Sequence, residues 1–250
     1  MNKKHNIFDC TFSDIKKIEY VIPILPWGAC EPHGLHLSYC TDILLAEKIA
    51  SEAIMHSKNP SSFIMLPSIG YGSQNIGQTN KKLCIHLSCK SQMSIIEDIV
   101  SSLEKQGLNK LIIINGHNGN DFKTIVRDLE FTYNNFIMYV CNYLDLADNI
   151  WMYNHVTTNL PRVDDHAGFT ETSLMLYYFP EYVDESKMQN SEKLEWYPKK
   201  DNKLWTPRDW DKYSIDTRVG EIGFASAEYG KKIAEHIVEQ LSEELSKITY

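Results

Sequence analysis

The chain has 250 residues, and its 33 acidic against 25 basic side chains give a formal net charge of −8, which argues against nucleic acid as a partner because phosphate calls for clustered lysine and arginine. At this length and an ordinary 43% hydrophobic content, a single α/β domain over residues 1–250 can bury a sizeable core without covalent staples. No apolar run reaches signal-peptide or membrane-span length, and six scattered cysteines form no Cys-x-x-Cys pair, so reduced, mostly buried thiols and a cytoplasmic location are expected.

In chain order, short β-rich runs alternate with helical patterns, the signature of a parallel sheet with helices on both faces. The first strand is predicted over residues 20–25, ended by Pro26 and Gly28. A helix follows from about Thr41, its expected N-cap, with Leu45, Ile49, Ala53 and Ile54 on one face. Residues 62–66 read as a second strand, and a short one is predicted near Leu83 to Leu87 after a Gly- and Asn-rich loop. Met93, Ile96, Val100 and Leu103 stripe a helix over 91–106, stopped by Gly107. Lys110 to Ile114 is a continuous apolar strand of the buried parallel kind. A helix starting near Gly119 or Asn120, a strand over 136–141, a helix over 169–178 and a last helix capped by Ser226 complete the series. The stretch at about 181–218, with Trp196, Trp205 and Trp210 among charges and prolines, reads as an irregular excursion, either a lid, a subunit contact or a surface loop without a role.

Three polar clusters fall where strands end and helices begin, which is where open α/β sheets bind ligands. The first is Glu31-Pro32-His33-Gly34 with Asp42. Two carboxylates and an imidazole can converge on zinc, manganese or iron, although Asp42 also suits a first helical turn for its charge alone. The second is Asn115-Gly116-His117-Asn118-Gly119-Asn120, directly after the apolar strand, with Asn115 and Asn120 placed to brace the loop. The third is His166-Ala167-Gly168 with Glu171, the histidine being a candidate proton shuttle.

In this order the clusters resemble the creatininase family of amidohydrolases. The matching pieces are Leu25-Pro26-Trp27-Gly28-Ala29-Cys30-Glu31-Pro32-His33-Gly34-Leu35-His36-Leu37 leading to Thr41-Asp42, then Ile114 to Asn120, His166-Ala167-Gly168 followed by Glu171-Thr172-Ser173, and Gly220-Glu221-Ile222-Gly223 with Ala225 to Gly230. The resemblance implies a three-layer α/β/α sandwich with a mostly parallel central sheet and two divalent transition-metal ions. It implies Asp42 as the bridge, Glu31 and His117 on one metal, and His33 and Glu171 on the other. His166 is implied to be catalytic in proton transfer. Creatininase itself carries a glutamate where this chain has Gly119, and relatives sharing that glycine carry the Glu-Thr-Ser segment found here at Glu171. The family also implies a homo-oligomer, often a hexamer.

Two departures lie near the implied pocket. Tyr71 to Asn80 replaces a histidine and a Pro-Gly-Thr turn common in relatives, and Phe169 follows His166-Ala167-Gly168 where relatives have glutamate. The expected function is therefore hydrolysis of a C–N bond in a cyclic or linear small-molecule amide, with creatinine itself left open. Metal-activated water would attack the carbonyl, and His166 would protonate the departing nitrogen. A catalytically silent, metal-stabilised binding or scaffold protein of the same fold is the alternative. Catalysis by Ser173 or Cys30 is disfavoured, since no Gly-x-Ser-x-Gly elbow is present.

Overall fold

The computed structural model describes residues 4–18, 20–161, 164–189, 206–207 and 209–248. Its four strands are β1 (Ile22–Trp27), β2 (Phe63–Met65), β3 (Lys110–Asn115) and β4 (Ile137–Asn142), ordered β2-β1-β3-β4 and all parallel. The helices are α1 (Phe12–Ile15), α2 (Thr41–His56), α3 (Cys89–Lys105), α4 (Phe122–Leu129), α5 (Asn149–His155), α6 (Phe169–Tyr178), α7 (Trp210–Tyr213) and α8 (Ala227–Lys247).

Alternation along the central strands sorts the core into two halves. Ile22 and Ile24 of β1 and Ile112 and Ile114 of β3 face α2, α6 and α8. Leu25, Trp27, Leu111 and Ile113 face the other way, onto α3 and α4. Helices on both faces explain why these strands are apolar without interruption, and they make the three-layer sandwich.

The strand order fixes where a site can form. From β1 the chain crosses through α2 to β2 on one side; from β2 it returns through α3 to β3 on the other. Adjacent connections thus leave β1 and β3 in opposite directions, opening a crevice at their carboxyl ends.

Several boundaries depart from the sequence reading. Proline was expected to end β1, yet the strand runs through Pro26 to Trp27. The ring removes only a donor: the Pro26 carbonyl still accepts from the Ile69 amide at 3.1 Å. Thr41 is inside α2 rather than its cap; Cys40 occupies that position without a side-chain cap, and the Thr41 hydroxyl donates back to the Ser38 carbonyl. The α4 helix starts later than expected because Asp121 caps it, accepting from the Thr124 amide. Leu83 to Leu87 forms no strand, only a single bridge between His86 and Gly72; Leu83 is 78% exposed at φ 64°, a left-handed conformation that breaks the extended backbone a strand needs. The cysteines are all free, but Cys84 alone is buried, with Cys40 and Cys89 exposed.

Trp196 and Trp205 lie outside the described residues. In the rest of the excursion, α7 is anchored rather than loose: Trp210 is buried, and its amide donates to the Ile76 carbonyl at 2.8 Å, while Asp211 and Lys212 face solvent. Among the described residues, no helix is long and apolar enough to cross a membrane.

Candidate metal centre

All six residues singled out by sequence converge on the β1/β3 crevice. Glu31 and His33 ride on the loop leaving β1, and Asp42 sits in the first turn of α2. His117 follows β3, and Glu171 occupies the first turn of α6, with His166 in the loop before it. Glu31, His33, Asp42, His117 and Glu171 are all buried, and the His166 side chain is 10% exposed.

Asp42 is the hub. Its Oδ1 lies 2.9 Å from His33 Nε2, and its Oδ2 lies 3.1 Å from His117 Nδ1. Glu31 Oε1 lies 2.9 Å from the same His117 nitrogen and 3.6 Å from His166 Nδ1. Glu171 Oε1 stands 4.0 Å from His33 Nε2. The ligand-capable atoms form compact triads, Glu31–Asp42–His117 and His33–Asp42–Glu171, which share Asp42; a third, Glu31–His33–His166, overlaps both.

The outer hydrogen bonds set which nitrogen of each ring faces inward. His33 Nδ1 donates to the Glu31 carbonyl at 3.0 Å, His117 Nε2 to the Ser73 carbonyl at 2.8 Å, and His166 Nε2 to the Pro32 carbonyl at 2.8 Å. A carbonyl can only accept, so each outward nitrogen carries a proton and the inward nitrogen is the one turned toward the carboxylates. This is the arrangement by which metal-binding histidines are oriented. Two carboxylate oxygens, Glu31 Oε1 and Asp42 Oδ2, are buried and not aligned to accept any hydrogen bond. Inward carboxylate oxygens beside inward imidazole nitrogens fit divalent zinc, manganese or iron.

Titration tells the same story. Burial alone would lower the His33 pKa, but Asp42 outweighs it and drives the ring up to about 10. His117 is likewise raised against burial, chiefly by Glu31. Burial would raise Asp42 and Glu31, yet both are held low: Asp42 first by His33, Glu31 first by His117. Burial lifts Glu171 to about 8 against the pull of His33. Metal binding among these groups would release protons, so metal uptake is expected to strengthen as pH rises.

The neighbouring backbone is built to hold this geometry. Asn115 braces His117 from both sides, its Nδ2 donating to the His117 carbonyl and its Oδ1 accepting from the His117 amide. Asn120 Nδ2 donates to Asn115 Oδ1 at 3.1 Å. Ala167, in the left-handed region at φ 53°, aims its amide at Glu171 Oε2, 2.6 Å away. A side chain at Gly119 would sit 2.3 Å from both His117 Nε2 and the Ser73 carbonyl, so a glutamate has no room there.

Sequence reasoning missed the outer partners. Backbone groups such as the Ser73 and Pro32 carbonyls and the Ala167 amide carry no side-chain signal at all. Gln78, whose Nε2 donates to Glu31 Oε2 at 2.6 Å, comes from a loop without periodicity, and Trp210, named only as part of the irregular excursion, opens α7 edge-on to His166 with centroids 5.0 Å apart. A groove of about 650 Å³ between β4 and the end of α8, lined by Lys110, Tyr139, Leu241 and Leu245, contains none of the six residues. The nucleophile candidates are poorly set up: burial raises the Cys30 thiol pKa, and the Ser173 hydroxyl is fully buried, accepting from the Ser226 amide.

His36 stands behind the centre, buried, with Nε2 2.9 Å from the Thr172 hydroxyl. Burial, then Arg218 and His33, push its pKa down to about 4. The folded ring therefore refuses a proton that the unfolded chain accepts below about pH 6.5, and stability present at neutral pH is lost between pH 6.5 and 4. The contribution is roughly 3 kcal/mol. Urea unfolding of wild type and His36→Gln across that window should show a shallower pH slope in the variant; equal slopes would remove His36 from the account.

Known proteins share this sequence pattern and fold. The family model described as creatinine amidohydrolase matches residues 9–245. A creatinine amidohydrolase of Pseudomonas putida is 25% identical over 174 residues, a match covering 64% of this chain and 65% of that enzyme. The crystal structure of a Bacteroides fragilis protein, provisionally named creatinine amidohydrolase, is 37% identical with a TM-score of 0.89, covering 99% of this chain and 97% of that one. A manganese form of creatininase, 21% identical, shares the fold at a TM-score of 0.81 over 97% and 98% of the two chains. With its family model spanning nearly the whole chain and its polar clusters meeting in one crevice, this protein belongs to the creatininase family.

Proposed function

We propose that the protein is a dinuclear metal-dependent amidohydrolase that cleaves the C–N bond of a cyclic or linear small-molecule amide. The observation that carries this reading is the sharing of Asp42 by two buried triads, each with its own histidine and second carboxylate. Asp42 Oδ1 and Oδ2 face different histidines, so one carboxylate can serve two ions. Glu31 and His117 would complete one ion's ligands, His33 and Glu171 the other's. Zinc, manganese or iron bound there would polarise the amide carbonyl and bring the pKa of water toward neutrality.

The protein's own contribution is orientation and proton transfer. His166 keeps its Nε2 proton on the Pro32 carbonyl, so Nδ1 is the atom that faces the centre. Burial, then His33, lower its pKa, leaving the ring neutral at rest and able to accept a proton. As water adds to the amide carbon, Nδ1 takes the proton; as the C–N bond breaks, it returns that proton to the leaving nitrogen. Trp210 packs against the same ring and helps keep water away from it.

His166→Gln should keep both ions and the fold but lower turnover about 10²–10⁴-fold, the usual yield of a general acid–base. Metal analysis and kinetics on the same preparation check this, and unchanged turnover would dismiss His166. The substrate is sought by screening amides, lactams and formamides with metal-loaded protein. Two ions per chain with silence across that screen would favour a metal-stabilised scaffold, a reading kept open by the divergent Tyr71 to Asn80 loop. A single domain, a cytoplasmic location and a homo-oligomer complete the proposal.

A further inference from the structure

The loop between β2 and α3 touches the centre unevenly. Gln78 and Glu31 are both buried, and the Gln78 amide has only one consistent orientation. Its Oε1 accepts from the Asn75 amide at 3.0 Å, which leaves Nε2 to donate to Glu31 Oε2 at 2.6 Å. One Glu31 oxygen is thus committed to Gln78. The other, Oε1, is the one facing His117 and His166. The same loop supplies the Ser73 carbonyl that orients His117.

The loop is itself fixed. Gly77 turns at φ 88° against the backbone of Trp210 and Asp211, where an added Cβ would lie 2.6 Å from the Asp211 amide. Ile76 accepts from the Trp210 amide, and Lys81 pairs with Asp211 at 2.7 Å. By contrast, Glu171 is held by the Ala167 amide and His33 by the Glu31 carbonyl, neither of which belongs to this loop.

We infer that Gln78 is a positioning residue for one ion only, making Glu31 a one-oxygen ligand in the Glu31–Asp42–His117 half of the centre. The inference rests on the dinuclear reading above. It follows from geometry that is unequal between the halves: outer partners drawn from the loop serve Glu31 and His117 and bypass His33 and Glu171. Removing the amide N–H leaves Glu31 Oε2 buried without a donor, so the carboxylate is free to rotate away from its inward aim.

The test is a zinc titration of metal-stripped wild type, Gln78→Met and Gln78→Leu, with stoichiometry by elemental analysis and fold by circular dichroism. Methionine keeps the bulk, and leucine removes the donor without adding a charge or an O–H, so either variant serves if the other fails to fold. Wild type should take up two zinc ions per chain. Each variant should bind one ion as wild type does and the other about 10–100-fold more weakly. Two ions at wild-type affinity in both variants would overturn the inference, and so would equal weakening of both ions, which is what a merely structural role predicts. A wild type that takes up no zinc would instead sink the dinuclear reading, and the role of Gln78 with it.

Discussion

Asp42→Ala protein, purified beside wild type, is expected to hold neither ion stoichiometrically and to lose more than about 10³-fold in turnover. Both triads contain Asp42, so a single truncation removes a ligand from each. Removing Glu31 or Glu171 strips one triad and leaves the other intact, which ranks Asp42 above either. The loss also leaves His33 without the partner that holds its pKa near 10. The buried ring then gives up its proton, so loss of function need not mean loss of fold. Asp42→Asn separates charge from shape: it preserves the space and still fails to bind, because a neutral amide cannot bridge two cations. Elemental analysis and kinetics on folded protein decide the matter. An Asp42→Ala chain retaining two ions would refute the shared-ligand reading outright.

The second large effect is expected from Gly116→Ala. Gly116 ends the strand side of the crevice, and a Cβ there would lie 2.5 Å from the Asp42 carbonyl oxygen. Gly28, just past β1, is packed against the same peptide: a Cβ there would lie 2.6 Å from the Ile43 amide and 2.7 Å from the Asp42 carbonyl carbon. The first turn of α2 is therefore clasped between two strand ends that can carry no side chain. An extra methyl cannot be absorbed by rotating a flexible neighbour, because the obstacle is backbone. The expected cost is about 1–3 kcal/mol of stability. A displacement of Asp42 by about 1 Å would add roughly a 10²-fold loss of activity. Gly107→Ala is the control: its φ of 81° is unfavourable for alanine, yet nothing lies within 4 Å, so stability should fall slightly while metal affinity stays. Equal behaviour of the two variants would show that close approach at Gly116 does not matter.

These residues also show what a single sequence reveals. The apolar runs of β1 and β3 and the stripes of α3 and α8 were legible because period and burial coincide. The three polar clusters stood out because they lie between strand ends and helix starts, but the roles of their six residues were legible only through the family resemblance; a β2-β1-β3-β4 order is what brings those positions together. Leu83 to Leu87 misled because an apolar run does not reveal that its first residue takes a left-handed conformation. The extent of β1 past Pro26 depends on which partner takes each backbone group, a tertiary fact. Gln78 and Ser73 were hidden for the same reason: their roles arise from a loop brought across the crevice, held there by Trp210 and Asp211.

The convergence of four segments on Asp42 also bears on thermodynamics. Ions at this point would tie the β1 loop at Glu31 to α6 at Glu171, as a cross-link closes a long loop, and would bind the folded chain alone. Apparent stability then becomes a function of free metal, rising by about 2.7 kcal/mol when the ion stands at a hundredfold excess over its Kd. Melting temperatures of this protein have meaning only at a stated metal concentration. In a metal-starved cell, the first property to fail would be the lifetime of the chain as well as its rate.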